Sequence, residues 1–131
     1  MLLDSQNLFS DNQEINEKTQ YSTNTVKFGK GDISYIPLIV QVVEDFKDIE
    51  GLEVCVETSI SADFNSFNVL ISSSLELSEL KAGKLFPINN IPQGNLGYIR
   101  LKYTTKGDNK ETQGKITAGV AAGVDRGIQE I

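Results

Sequence analysis

Residues 98–104, Tyr-Ile-Arg-Leu-Lys-Tyr-Thr, constrain this chain more than any other stretch. Ile99, Leu101 and Tyr103 fall on one side of a two-residue repeat, and Tyr98, Arg100, Lys102 and Thr104 on the other. That is the period of a half-buried antiparallel strand. The residues leading to it are equally unhelical. Gly83 ends a short leucine-rich turn, and Leu85-Phe86-Pro87-Ile88 reads as a brief strand whose proline removes a ladder donor, which places it at a sheet edge or crossing. Asn89-Asn90, Pro92 and Gly94 form a turn before the long strand begins.

The rest of the chain repeats this character. Tyr21 to Phe28 is rich in Thr, Val and aromatic residues and runs into Gly29-Lys30-Gly31-Asp32, a strand followed by a turn. Pro37 to Phe46 has apolar side chains on both faces, which predicts a central strand covered on both sides or lying against a neighbouring subunit. Its β-branched Ile39, Val40, Val42 and Val43 favour strand over helix. In 52–58, Leu52, Val54 and Val56 alternate with Glu53, Cys55 and Glu57, giving one buried and one wet face. A loop over 59–66 leads to a short strand at 67–73. The segment 75–80 reads as a single helical turn or an irregular connection, too short for a helix without packing. Lys106 to Lys110 is a polar hairpin tip, and 114–122 pairs back with Ile116, Ala118 and Val120 on one face. About seven or eight short strands at this spacing predict an all-β fold, an antiparallel β-sandwich or barrel. At 131 residues the chain makes one domain. Residues 1–18, with Leu2, Leu3, Leu8, Phe9 and Ile15 set among Asp, Asn, Gln and Glu, read as an extended N-terminal arm. Residues 19–122 read as the β-domain, and 123–131 as a C-terminal tail.

Chemistry is limited by what the sequence lacks. There is no histidine, which removes the commonest general base and the usual nucleophile pairings. A zinc site from the lone Cys55 and carboxylates would be unusual, and Cys55 reads as a small, partly buried hydrophobe. Gly29-Lys30-Gly31 matches no phosphate-binding motif and reads as a turn. Paired carboxylates remain: Asp45 with Asp48, or Glu53 with Glu57, though the second pair lies where a solvated strand face is the ordinary explanation. Asp63-Phe64-Asn65 offers oxygens to calcium without the spacing of a calcium loop. The expectation is therefore no enzyme and no cofactor. A net charge of −6, with its Lys and Arg scattered, argues against nucleic acid and against an anionic membrane surface. The first residues carry no signal-peptide pattern, so the protein is expected to stay in the cytoplasm where it is made or to join something assembled there.

Excess apolar residues point elsewhere. Ile39 beside Val40, and Leu2-Leu3 with Leu8-Phe9, exceed what one small sandwich obviously buries, and such excess marks either an oligomer interface or a core filled by the arm. Several segments together carry a likeness: Met1-Leu2-Leu3-Asp4 with Leu8-Phe9-Ser10, Ser22-Thr23-Asn24, Pro37 to Val42, Leu52-Glu53-Val54 through Ser59 with Asp63-Phe64. It continues in Leu80 to Gly83, Phe86-Pro87-Ile88, Ile91-Pro92, Tyr98 to Tyr103 and Gly114 to Val120. In these the chain resembles the jelly-roll capsid cementing, or decoration, proteins of tailed bacteriophages, of the Bordetella-podophage type. The resemblance implies a jelly-roll sandwich, a homotrimer on the outer capsid surface of the virion, and the major capsid protein as partner. Contacts are expected at Leu2, Leu3, Leu8, Phe9, Ile39 and the Phe86-Pro87 crossing. Residues 125–131 run past the point where the final strand of the pattern would stop. The alternative reading is a carbohydrate-binding jelly-roll module stacking sugars on Tyr21, Tyr35, Tyr98 and Tyr103, against which stands the absence of tryptophan.

Overall fold

Alternating apolar residues become strands here because each strand has a neighbour to complete its hydrogen bonds and a facing sheet to cover its apolar side. The computed structural model describes residues 3–28, 36–107 and 112–121, with side chains from Leu8 onward in the first segment. The strands are β1 (Leu3–Glu14), β2 (Thr19–Tyr21), β3 (Val26–Lys27), β4 (Ile36–Lys47), β5 (Gly51–Ser59), β6 (Asn68–Glu76), β7 (Asn90–Ile91), β8 (Tyr98–Lys106) and β9 (Gln113–Ala121). A single 3-10 turn, Leu77–Glu79, follows β6. Every strand pairing is antiparallel. One sheet has the order β1-β9-β4-β7; the other runs β2-β8-β5-β6, with β3 also on β8. The two pack face to face as a β-sandwich, and the chain changes sheet at every connection except β2–β3 and β5–β6.

The core lies between the sheets. Leu38, Val40 and Val42 of β4, with Ile116 and Ala118 of β9 and Phe9 of β1, face Leu52, Val54 and Val56 of β5 and Ile99, Leu101 and Tyr103 of β8. Tyr103 is fully buried, and its hydroxyl needs a partner in this apolar layer. It donates to Ser10 Oγ at 2.7 Å, and Ser10 donates onward to Gln13 Oε1 at 2.5 Å. Gln13 also accepts the Thr23 amide and donates to the Tyr21 carbonyl. This chain of bonds ties β1 in one sheet to β8 and β2 in the other. At the far end Phe46 lies against the backbone of Gly114: a Cβ added there would come within 2.4 Å of the ring, so only glycine fits.

Several expectations need correction. Residues 3–14 are not a separate arm but the edge strand β1, paired with β9. Register shifts between Leu3 and Leu8, Leu8 and Ser10, and Ser10 and Gln13 destroy the two-residue period by which a strand is read from sequence. The segment 114–121 does not pair back on β8. Both flanks of β8 are occupied, by β5 and by β2 and β3, so β9 crosses to the other sheet and inserts between β1 and β4. The predicted strand at 21–28 is broken in two, and Ser22 bridges the gap: its amide donates to the Leu101 carbonyl while its Oγ accepts the Leu101 amide. Strand β4 is buried on one face only, with Val43 to Asp45 exposed. Leu85 to Ile88 lies along the edge of β4 as an irregular run, joined by a Leu85–Gln41 bridge and the Phe86 amide bonding the Val40 carbonyl. Part of the expected turn, Asn90–Ile91, is the short strand β7. The tail 123–131, most of the hairpin tip and the Gly29 to Asp32 turn lie outside the described residues.

Candidate functional site

Two outward faces carry the features that a core does not explain. On the five-stranded sheet, Glu57 of β5 lies directly opposite Arg100 of β8, both pointing away from the core. Arg100 Nε donates to Glu57 Oε1 at 2.9 Å, and the carboxylate is almost completely removed from solvent while the guanidinium side chain is 17% exposed. Three rings surround that guanidinium. The Tyr21 and Phe64 centroids lie 3.9 and 4.2 Å from its central carbon, and Phe67 lies at 5.8 Å. A planar cation between two aromatic faces gains from both quadrupoles, and the rings exclude water from the ion pair.

Tyr21 comes from β2, and the two phenylalanines come from the loop 60–67. That loop is held by its own polar groups. Ser59 Oγ donates to the Ser66 carbonyl and accepts the Ser61 amide. Asp63 accepts from Ser61 Oγ at 2.6 Å, from the Asn65 amide and from Asn65 Nδ2. The Ser61 hydroxyl, then the Asn65 amide, hold the Asp63 carboxyl below its usual range. Phe64 takes a left-handed backbone, φ 52°, and buries its ring. The oxygens that sequence offered to calcium thus cap their own loop. Among the described residues no group of three His, Cys, Asp or Glu could hold a metal ion.

The carboxylate pairs do not converge. Glu53 and Glu57 share the outer face of β5 four residues apart, roughly 13 Å at the rise of a strand, beyond the spacing of either type of glycosidase pair. Glu57 is also not the solvated charge the alternation suggested, because Arg100 and the rings cover it. Asp45 accepts the Ala82 amide at 2.7 Å in a turn, and Asp48 sits at φ 63°. Cys55 is half-buried between the two glutamates; burial first, then the charges of Glu53 and Glu57, push its thiol up. Of the four tyrosines considered for sugar stacking, Tyr103 is in the core, Tyr98 is half-buried under Lys27, Tyr21 is 42% exposed, and Tyr35 lies outside the described residues.

The outer face of the four-stranded sheet is the second feature. Leu8, Gly119 and Ile39 line up across β1, β9 and β4, with Leu8 and Ile39 half-buried. Next to them run Thr117, Gln41 and Leu85, and Leu85 and Val43 are 48% and 37% exposed. The residues picked from sequence are therefore divided. Leu8, Ile39 and exposed Pro87 are on the surface, whereas Phe9 and Phe86 are core side chains, 0% and 3% exposed, with no face left for a partner. In sequence both read as surface, because an apolar pair gives no sign of which member turns inward. The Leu3 backbone pairs with Ala121, its side chain is not described, and Leu2 lies outside the described residues. The Arg100 clamp leaves no local mark in the sequence, because its members are up to 79 residues apart and meet only through strand register. The signal available was the outward position of Arg100 and Glu57 in their respective alternations.

No protein-family model matches this sequence, and no curated protein matches it.

Proposed function

We propose that the chain is a capsid decoration protein: a jelly-roll sandwich that binds, as a homotrimer, the outer surface of a tailed-phage shell of major capsid protein and stabilises the head. The likeness in sequence described above supports this. The strand order, β1-β9-β4-β7 against β2-β8-β5-β6 with β3 beside β2, supports it too, since a jelly roll of two interlocked Greek keys calls for such an order. The observation that carries the reading is the outward face bearing Leu8, Ile39, Val43 and Leu85. An antiparallel sheet that faces only water carries polar residues there, and an apolar patch on such a face marks a contact.

Stabilisation needs no catalysis. A ligand that binds only the assembled shell shifts the equilibrium against its opening. The acidic chain suits a protein partner rather than nucleic acid. No helix among the described residues is long and apolar enough to cross a membrane. The test is co-sedimentation with assembled shells and with unassembled capsid protein. Binding to shells alone, weakened at least tenfold by Ile39→Asp with Leu85→Asp, supports the reading, while no binding to shells overturns it.

One observation favours a second reading. Tyr21 and Phe67 expose aromatic surface beside the Arg100–Glu57 pair, an arrangement on which a sugar ring could stack. A glycan array without hits removes this carbohydrate-binding alternative.

A further inference from the structure

A sheet edge is a row of unpaired backbone groups, and proteins blunt such rows with bulges, breaks, prolines or charge. Three of the four edges here are blunted. Strand β1 shifts register three times along β9. The opposite sheet's edge is interrupted between β2 and β3. Strand β7 is two residues long and is followed at once by Pro92. The fourth edge is different. Strand β6 pairs with β5 on one side and, among the described residues, with no strand on the other. From Ile71 to Glu76 it stays in step with β5 residue for residue, and its one bulge falls at Leu70, where the pairing passes from Val56 to Glu57. It contains no proline, lysine or arginine, and Glu76 at its end is its only charge.

The side chains of this edge complement themselves. Ile71, Ser73 and Leu75 face inward, opposite Val56, Val54 and Leu52, while Ser72 and Ser74 face outward. Ile71 and Ser73 are only half-buried, although the strand-β5 residues beside them are fully buried. We propose that β6 pairs antiparallel with β6 of a second copy of this chain about a two-fold axis at Ser73, joining the two five-stranded sheets into one. In that register Ile71 lies opposite Leu75 of the second copy, giving two apolar pairs on the inner face. Ser72 lies opposite Ser74, so two hydroxyl pairs flank the axis on the outer face. Glu76 falls opposite the bulge at Leu70, so no like charges oppose one another. Lys106 has its backbone on β8, beyond β5, and its ammonium reaches over β5 to donate to Ser74 Oγ at 3.2 Å. A self-complementary patch is what a closed two-fold contact requires. This contact is independent of the decoration reading.

The register supplies the test. In Ser72→Lys/Ser74→Lys, lysines face lysines twice across the axis; in Ser72→Lys/Ser74→Glu, each lysine faces a glutamate. Both pairs of substitutions sit on the outward face, where they leave the core untouched. Sedimentation equilibrium of the full chain across a concentration series is expected to give an even number of 14.4 kDa chains, two, or six where trimers also form. The double-lysine variant is expected to pair roughly two- to thirtyfold more weakly, and the lysine–glutamate variant to recover the loss. Thermal melting of each variant checks that it is folded. A wild-type chain that sediments as a monomer or a trimer at every concentration overturns the proposal, as does equal weakening by both variants. Shell binding is measured separately: a chain that pairs in solution and ignores shells sinks the decoration reading alone, and one that binds shells as an odd-numbered oligomer sinks this contact alone.

Discussion

Replacing Arg100 with methionine tests how the outer face of the larger sheet is held together. Methionine keeps much of the side-chain length and contact with Tyr21 and Phe64, but it leaves the Glu57 carboxylate buried with no partner. Removing one member of a buried ion pair costs about 3–5 kcal/mol, and the guanidinium's partial exposure puts this case at the lower end, about 3 kcal/mol. Against a total stability of about 5–15 kcal/mol for a domain, that is a large fraction. It corresponds to a fall in Tm of about 10–15 °C for a chain of this size. Urea unfolding followed by far-UV circular dichroism measures it, since the chain has no tryptophan to report by fluorescence. The companion Glu57→Gln/Arg100→Met variant carries no buried charge and is expected to be more stable than Arg100→Met by about 1 kcal/mol or more. A cost below about 1 kcal/mol for Arg100→Met, the ordinary value of an exposed pair, would refute the clamp. So would a double variant no more stable than the single one.

Three further outcomes follow from the packing. Burial raises the Tyr103 phenol well above the ordinary tyrosine range. The stability this contributes is therefore fully present below about pH 10, and alkaline titration should show it lost as pH climbs towards the folded value. Tyr103→Phe should remove that dependence and, by losing the bond to Ser10, cost about 1 kcal/mol in urea unfolding. Gly114→Ala places a Cβ against the Phe46 ring and should destabilise by about 1–3 kcal/mol in a thermal melt; an unchanged Tm would contradict the close approach. The Cys55 thiol, pushed up by burial and by Glu53 and Glu57, should alkylate more slowly at neutral pH than a free cysteine, with Glu53→Gln partly restoring the rate.

Alternation made the central strands legible. In β5 and β8 the apolar residues 52, 54, 56 and 99, 101, 103 all turn inward, because a regular strand between two neighbours must send alternate side chains to one core. The same rule failed wherever register broke. Strand β1 shifts its pairing along its length, so Leu8 turns outward and Phe9 inward with no period to show it. Destination was also hidden: 114–121 reads as a strand from its own residues, but which sheet it enters depends on which edges are already taken. The clamp was illegible for the same reason. Arg100 and Glu57 read as wetted charges on separate strands, and the cage forms only when register sets them side by side under the loop 60–67. Phe86 reads as an exposed crossing residue because it precedes a proline, yet its ring fills the core while Pro87 stays outside.

The proposed decoration of a capsid is tested by the copy number of this protein on purified particles, measured by mass spectrometry or densitometry against the major capsid protein. Decoration predicts a fixed ratio, on the order of one copy per shell subunit for a closed symmetric assembly. A trace amount, or none, would contradict it.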